Sequence, residues 1–212
     1  MTFPHFPPFE TEVDYLSMLD RQEAAVIHVR EGGPERVYLL EHSPVFTIGR
    51  TRDRSSLLDP DRLPFPLVTI SRGGQATYHG PGQLIAYPIL NLNTRRRDLH
   101  LYIRQLEQVI IDLASDFGVN ADRRDGLTGV WVGERKLASI GVGVRKWISL
   151  HGFGLNVTEE SLGGFLAITP CGIDGVSMTS LNSERSGAAI SVEDAVAAVP
   201  GHFERALEAL TV

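Results

Sequence analysis

The chain is 212 residues long, 42% hydrophobic and 22% charged, with 21 glycines, 12 prolines, seven histidines and one cysteine. Such a length and apolar content suit one domain with a sizeable core and exclude disordered, collagen-like and disulfide-scaffold classes; the net charge of −6 argues against a surface built to neutralise phosphates. The lone cysteine forms no internal disulfide and suits the reducing cytosol, while the basic residues divide into 18 Arg and only two Lys, Lys136 and Lys146.

In chain order, residues 1–10 carry Pro4, Pro7 and Pro8 and lack the basic start and apolar stretch of a signal peptide. They read as a flexible arm ahead of one domain over 11–212. Residues 12–30 have Val13, Leu16, Leu19 and Val26 near one helical face, although 24–29 equally suit the start of a strand. After the Glu31-Gly32-Gly33-Pro34 turn, residues 37–41 and 45–48 read as two short strands around His42-Ser43-Pro44. Residues 51–66 are polar and proline-punctuated, either disordered or a functional loop. A strand over 67–70 runs into Arg72-Gly73-Gly74-Gln75-Ala76-Thr77-Tyr78-His79-Gly80-Pro81-Gly82-Gln83, whose glycines mark special backbone geometry, and 84–92 resumes as a strand carrying Tyr87-Pro88.

The clearest helix covers 98–117, where Leu99, Ile103, Leu106, Ile110, Leu113 and Phe117 alternate spacings of four and three before Gly118 ends it. Residues 129–144 and 148–157 read as strands with glycine-rich joints. A last helix runs from a Ser191 cap to Leu210, with a break or kink near Pro200. Clustered strands flanked by three helices indicate an α+β domain. Regular βαβ alternation is missing, which disfavours a doubly wound nucleotide fold. No apolar run approaches the 18 residues of a membrane span.

Three places could carry chemistry. Cys171 sits in Thr169-Pro170-Cys171-Gly172-Ile173, where Pro and Gly shape a tight turn that could expose the sulfur; the same residue reads equally as a small core hydrophobe. Lys136 shares a strand face with Glu134 and Ala138, so it points either outward to solvent or inward to a pocket, where it could activate a thiol or act as a base. His79 closes a glycine-rich segment that matches neither the Walker A spacing nor the dinucleotide fingerprint, and it reads as a core histidine or a ligand contact. No His, Cys or carboxylate group has metal-ligand spacing, and no metal is expected.

Taken in order, Glu41-His42-Ser43-Pro44-Val45-Phe46-Thr47-Ile48-Gly49-Arg50, the 72–83 segment, Gly129-Val130-Trp131-Val132 with Lys136, His151-Gly152-Phe153-Gly154-Leu155-Asn156-Val157 and Pro170-Cys171-Gly172-Ile173 resemble the lipoyl(octanoyl) transferases. The resemblance spans 15–181. It implies a biotin/lipoate protein ligase-like fold with a mixed, largely antiparallel sheet flanked by helices. It further implies transfer of octanoyl from the phosphopantetheine of acyl carrier protein, through a Cys171 thioester, to a lysine of lipoyl domains of 2-oxoacid dehydrogenases or of the glycine-cleavage H protein. No cofactor, ATP, nucleic acid or membrane is implied, and the enzyme is expected to be a cytoplasmic monomer. Lys136 would be the residue that activates Cys171. Arg72, Gly73, Gly74, Gln75, Ala76, Thr77, Tyr78 and His79, with Ser139, Ile140, Gly141, Gly152, Phe153 and Gly154, would bind the substrate. Gly154 stands where the family usually has Ala, and Thr158-Glu159-Glu160 replaces its Asn-Thr-Asp type of turn.

The chemistry explains the residue types. A thiol with a pKa of about 8.5 is only ~3% thiolate at pH 7, and lowering it by two units takes about 2.7 kcal/mol. A cation at ~4 Å in an effective dielectric of ~20 supplies about 4 kcal/mol. Docking of an acidic carrier on a chain of negative net charge needs a local basic patch, for which Arg95-Arg96-Arg97, Arg123-Arg124 and Arg145-Lys146 are candidates. The competing readings are an ATP-dependent lipoate or biotin protein ligase, a thiol acyl hydrolase with His79 or His151 as base, and a non-enzymatic acyl-binding module.

Overall fold

The computed structural model describes residues 3–49, 54–72, 75–169 and 175–211. Its centre is a seven-stranded sheet in the order β1-β2-β6-β10-β9-β8-β7, built from β1 (Glu10–Val13), β2 (Arg36–His42), β6 (Gln83–Ile89), β7 (Asp122–Arg124), β8 (Leu127–Val132), β9 (Arg135–Arg145) and β10 (Ile148–Asn156). Only β1 and β2 run parallel; the other five pairings are antiparallel. A three-stranded sheet holds β4 (Leu67–Thr69), β3 (Val45–Ile48) and β5 (Thr77–His79) in the order β4-β3-β5, with β3 parallel to β4 and antiparallel to β5. The mixed, largely antiparallel α+β expectation therefore matches the architecture.

Helices cover both faces of the large sheet. On β2 and β6, Val37, Leu39, Leu84 and Ala86 join one core cluster with helices α2 (Leu99–Asp116) and α4 (Val192–Ala209). Their alternate neighbours Tyr38, Leu40, Ile85 and Tyr87 join a second cluster with Met18, Ala25, Val26 and Val29 of α1 (Tyr15–Arg30). Side chains alternate across a strand, so a strand covered on both faces must be apolar throughout. This is why 84–92 reads as a continuous apolar run. A one-turn helix, α3 (Leu181–Glu184), precedes α4.

Local signals set the helix starts. Asp14 accepts from the Ser17 N–H at 2.8 Å to cap α1, Asp98 accepts from the Leu101 N–H at 3.0 Å to cap α2, and Ser191 forms a capping box with Asp194 on α4. Gly118 follows α2 with φ of 76°.

Three expectations are corrected. The helix of 12–30 begins only at Tyr15, because Glu10–Val13 joins the sheet edge as β1. Residues 3–9, expected in a flexible arm, make contacts with the domain: His5 N–H donates to Glu35 O and Val37 N–H to His5 O, both at 2.9 Å, and Phe6 and Phe9 pack on the core. The last helix continues through Pro200. Val199, Phe203, Ala206 and Leu207 are buried on either side of the proline, and that packing offsets the ~3 kcal/mol a mid-helix proline costs. Among the described residues no helix is long and apolar enough to cross a membrane.

Candidate active site

A cavity of about 230 Å³ lies between the small sheet and the β9–β10 hairpin. The hairpin closes through the two-residue turn Lys146-Trp147, with φ of 50° and 62°, the doubly left-handed turn that matches strand twist. Its register sets Ser139 opposite Gly154, Ile140 opposite Phe153 and Gly141 opposite Gly152, and all six line the cavity. The glycines there replace side-chain bulk with space. A Cβ on Gly154 would come within 2.7 Å of Gln83 Oε1, and one on Gly152 would drive into the Ala86 carbonyl. Phe153 is shared with the core, where its ring stacks on Phe203 at 6.3 Å.

The segment after β4 supplies Arg72, Gln75, Ala76, Thr77 and His79 to the opposite wall. Arg72 is buried, and its Nη2 donates to the carbonyl and hydroxyl of Thr47 at 2.8 and 2.9 Å. Tyr78 is the exception among the expected substrate residues. It is absent from the lining, because alternation along β5 turns it into a separate cluster with Phe46, Phe65 and Phe165, with ring centroids 5.5 to 5.8 Å away. Gly73, Gly74 and Cys171 lie outside the described residues.

Two lining residues, Tyr15 and Tyr87, were missed by sequence reasoning, and a third, His151, entered it only as a base in a competing reading. Tyr15 opens α1, Tyr87 sits in the apolar run of β6, and His151 precedes Gly152 on β10. The available signal was a polar or aromatic residue inside an otherwise apolar element. Together with His42 they form a buried group. His42 Nε2 meets the Tyr87 hydroxyl at 2.9 Å and its Nδ1 donates to Val13 O at 2.8 Å, while Tyr15 stacks on His79 at 6.0 Å.

Burial makes these groups neutral. Desolvation pulls His42 and His151 down to about 4 and, with the neighbouring His42, pulls His79 down to about 3. The same cause pushes Tyr15 up to about 12 and Tyr87 well above its usual value. At neutral pH these imidazoles and phenols carry no charge, so among the described lining residues the charge is that of Arg72.

Lys136 lies inward, only 2% exposed. A one-residue register shift between Val130 and Trp131 lets Trp131 pair with Lys136, and the two-residue Gly133-Glu134 turn leaves Glu134 in solvent. The ammonium sits 5.2 Å from the Trp131 ring centroid. A Cβ on Gly129, whose φ is 123°, would approach Lys136 Cε to 2.8 Å, so glycine is required beneath the side chain. On its other side Lys136 pairs with residues 177–179: its N–H donates to Ser177 O and its carbonyl accepts from Thr179 N–H, both at 2.9 Å.

Two of the candidate basic patches are partly consumed inside the fold. Arg95 is buried against Glu35, and Arg123 holds buried Glu107 at 3.1 Å. Arg96 and Arg97 remain exposed, and Arg145 pairs with Glu23 at the surface. Among the described residues no cluster of three His, Cys, Asp or Glu could hold a metal ion.

Comparison with known proteins accounts for this geometry. The lipoyl protein ligase A/B catalytic domain family model matches residues 14–204. Curated octanoyltransferases of Citrifermentans bemidjiense and Geobacter sulfurreducens are 51% identical over 172 residues and 50% over 192, covering 81% and 90% of this chain and 82% and 80% of theirs. The bipartite lipoate protein ligase of Thermoplasma acidophilum shares the fold, with a TM-score of 0.71 at 17% identity over 96% of this chain and 85% of that one. A helix-flanked sheet with a glycine-walled cavity and a buried lysine on one of its strands thus coincides with close sequence kinship, and the chain belongs to the octanoyltransferases of the lipoyl protein ligase A/B catalytic domain family.

Proposed function

We propose that the chain moves octanoyl in two acyl transfers through Cys171, with Lys136 as the group that activates the thiol. In the first, the Cys171 thiolate attacks the thioester carbonyl of octanoyl acyl carrier protein, the carrier's thiol leaves, and an octanoyl thioester forms on Cys171. In the second, the ε-amine of a lysine on a lipoyl domain attacks that thioester, the Cys171 thiolate leaves, and an amide results. The carrier's sulfur takes the Lys136 ammonium proton as it leaves in the first step, so the neutral Lys136 amine can accept the attacking amine's proton in the second, which restores the ammonium–thiolate pair. Neither step needs ATP, because the thioester is already activated.

The observation that carries this reading is the burial of Lys136. Lysines are almost never fully buried unless paired, and this one lies on β9 three residues before cavity-lining Ser139. It is paired with the segment that follows Cys171 in the chain. The glycine-walled cavity, with its uncharged imidazoles and phenols, suits an eight-carbon chain, whose seven carbons beyond the carbonyl contribute at most about 5 kcal/mol on burial. An ATP-dependent ligase shares the fold but is the weaker reading: a lipoate-protein ligase A solved with ATP is 14% identical, against about half for the octanoyltransferases. A single reactive cysteine also fits a cytoplasmic enzyme.

Intact-mass spectrometry after incubation with octanoyl acyl carrier protein tests the scheme. The expected result is one octanoyl adduct on the parental chain, absent from Cys171→Ala, and discharged on adding an acceptor lipoyl domain without ATP. An adduct that persists in Cys171→Ala, or transfer that requires ATP, overturns it.

A further inference from the structure

We propose that Asn156 is a positioning residue for Lys136, acting through a buried hydrogen-bond chain that joins the wall of the acyl cavity to the lysine's backbone. The inference rests on the role proposed above for Lys136. The chain begins at Thr179, whose carbonyl can only accept. Asn156 Nδ2 donates to it at 3.0 Å. That leaves Asn156 Oδ1 to accept from Gln83 Nε2 at 2.9 Å, and Gln83 Oε1 to accept from His79 Nδ1 at 2.8 Å. The one-way acceptor at Thr179 therefore orients both amides and puts the His79 proton on Nδ1, with Nε2 left as an acceptor. Asn156, Gln83 and Thr179 are at most 3% exposed, so no water substitutes for a lost partner without rearrangement.

The other end of the chain holds the lysine. Thr179 N–H donates to Lys136 O and Lys136 N–H to Ser177 O, yet the pairing of residues 177–179 with β9 is a single isolated bridge at Lys136 and Met178. A bridge of one residue pair has little stability alone. Two side-chain contacts secure it: Asn156 on the Thr179 carbonyl, and the Thr179 hydroxyl on Glu184 at 2.6 Å. Asn156 lies in the interior and reaches the bridge from β10, two residues beyond cavity-lining Gly154. A displaced bridge shifts the Lys136 backbone, and with it the ammonium packed over Gly129 and Trp131.

Asn156→Asp is the sharpest variant, because its shape is kept and one carboxylate oxygen still accepts from Gln83, while the other faces the Thr179 carbonyl. We expect single-turnover acylation of Cys171 to slow at least tenfold with the donor KM within twofold of parental, and iodoacetamide alkylation of Cys171 at pH 7 to slow by a similar factor. In a Lys136→Met background the Asn156→Asp change should cost less than a further twofold, because both act through the same ammonium. Gln83→Glu, which keeps the acceptor for His79 and loses the donor to Asn156, carries the same expectations if Asn156→Asp does not fold. Parental alkylation and acylation rates in both variants, or losses that multiply with Lys136→Met, overturn the inference. A Lys136→Met protein that alkylates at the parental rate overturns the role of Lys136 itself and this inference with it. A slow Lys136→Met protein beside unaffected Asn156 and Gln83 variants overturns only the positioning.

Discussion

The two ends of the cavity treat buried polar groups in opposite ways. At the Gly154 end, His79, Gln83, Asn156 and Thr179 form a chain in which each amide oxygen accepts and each carboxamide nitrogen donates. Three residues away along β10, about 10 Å at strand rise, His151 has φ of 58° and, among the described residues, neither its ring nitrogens nor Gln22 Nε2 beside it has a hydrogen-bond partner, while Gln22 Oε1 accepts from the His151 N–H at 2.8 Å. A satisfied network fixes geometry, whereas an unsatisfied buried group costs about 1–3 kcal/mol. Rigidity is thus concentrated at the end nearer Lys136, and stability is given up at the other.

The contrast can be broken from either end. The largest effect is expected from Lys136→Met: a cation that lowers a thiol pKa from about 8.5 to about 6.5, some 2.7 kcal/mol, raises its thiolate fraction at pH 7 from ~3% to ~76%, so losing it should slow single-turnover acylation about 25-fold. A drop of less than fivefold would remove Lys136 from the chemistry. Next comes Gly152→Ala, whose new Cβ meets the Ala86 backbone and Pro88 Cδ at 2.7 Å. Overpacking between paired strands should lower stability by about 2–3 kcal/mol in a denaturant titration; an unchanged midpoint would show that β6 and β10 can part freely.

The neutral imidazoles predict acid sensitivity. The unfolded chain binds protons on His42, His79 and His151 near pH 6.5, while the folded chain resists them down to about 3–4. Stability is therefore full above pH 6.5 and falls as pH drops through the window from 6.5 to 4, by roughly 1 kcal/mol per imidazole per pH unit. His151→Leu should remove its share of that slope between pH 6 and 5. The smallest expected effect is the same variant at pH 7.5, where exchanging unpaired nitrogens for an apolar side chain should raise stability by about 1 kcal/mol. A destabilised His151→Leu protein would mean that the ring has a partner in solution.

Much of the cavity was legible because glycines and their neighbours are local signals: Arg72, residues 75–77 and His79 reach one wall, and 139–141 and 152–154 the other. That Tyr78 faces away from the cavity was illegible, because sequence adjacency says nothing of strand parity until the ends of β5 are known. Tyr15 and Tyr87 were illegible for a related reason. Each looks like an ordinary core aromatic, and only the packing of α1 on β6 brings them to the same cavity.

What the sequence by itself determined is the set of short-range features: helix periodicity over 98–117, the Ser191 cap, the Glu31-Gly32-Gly33-Pro34 turn and the motif residues that carry the family. These depend on neighbours within a few positions, whose chemistry the chain states directly. Tertiary structure alone decided that β1 adds to the sheet edge, that β2 and β3 enter different sheets, that Pro200 stays within its helix, and that Lys136 is buried rather than solvated. Each of these is set by partners dozens of residues away. The competing local preferences differ by only a few kcal/mol, and the burial of apolar surface across the whole domain chooses between them.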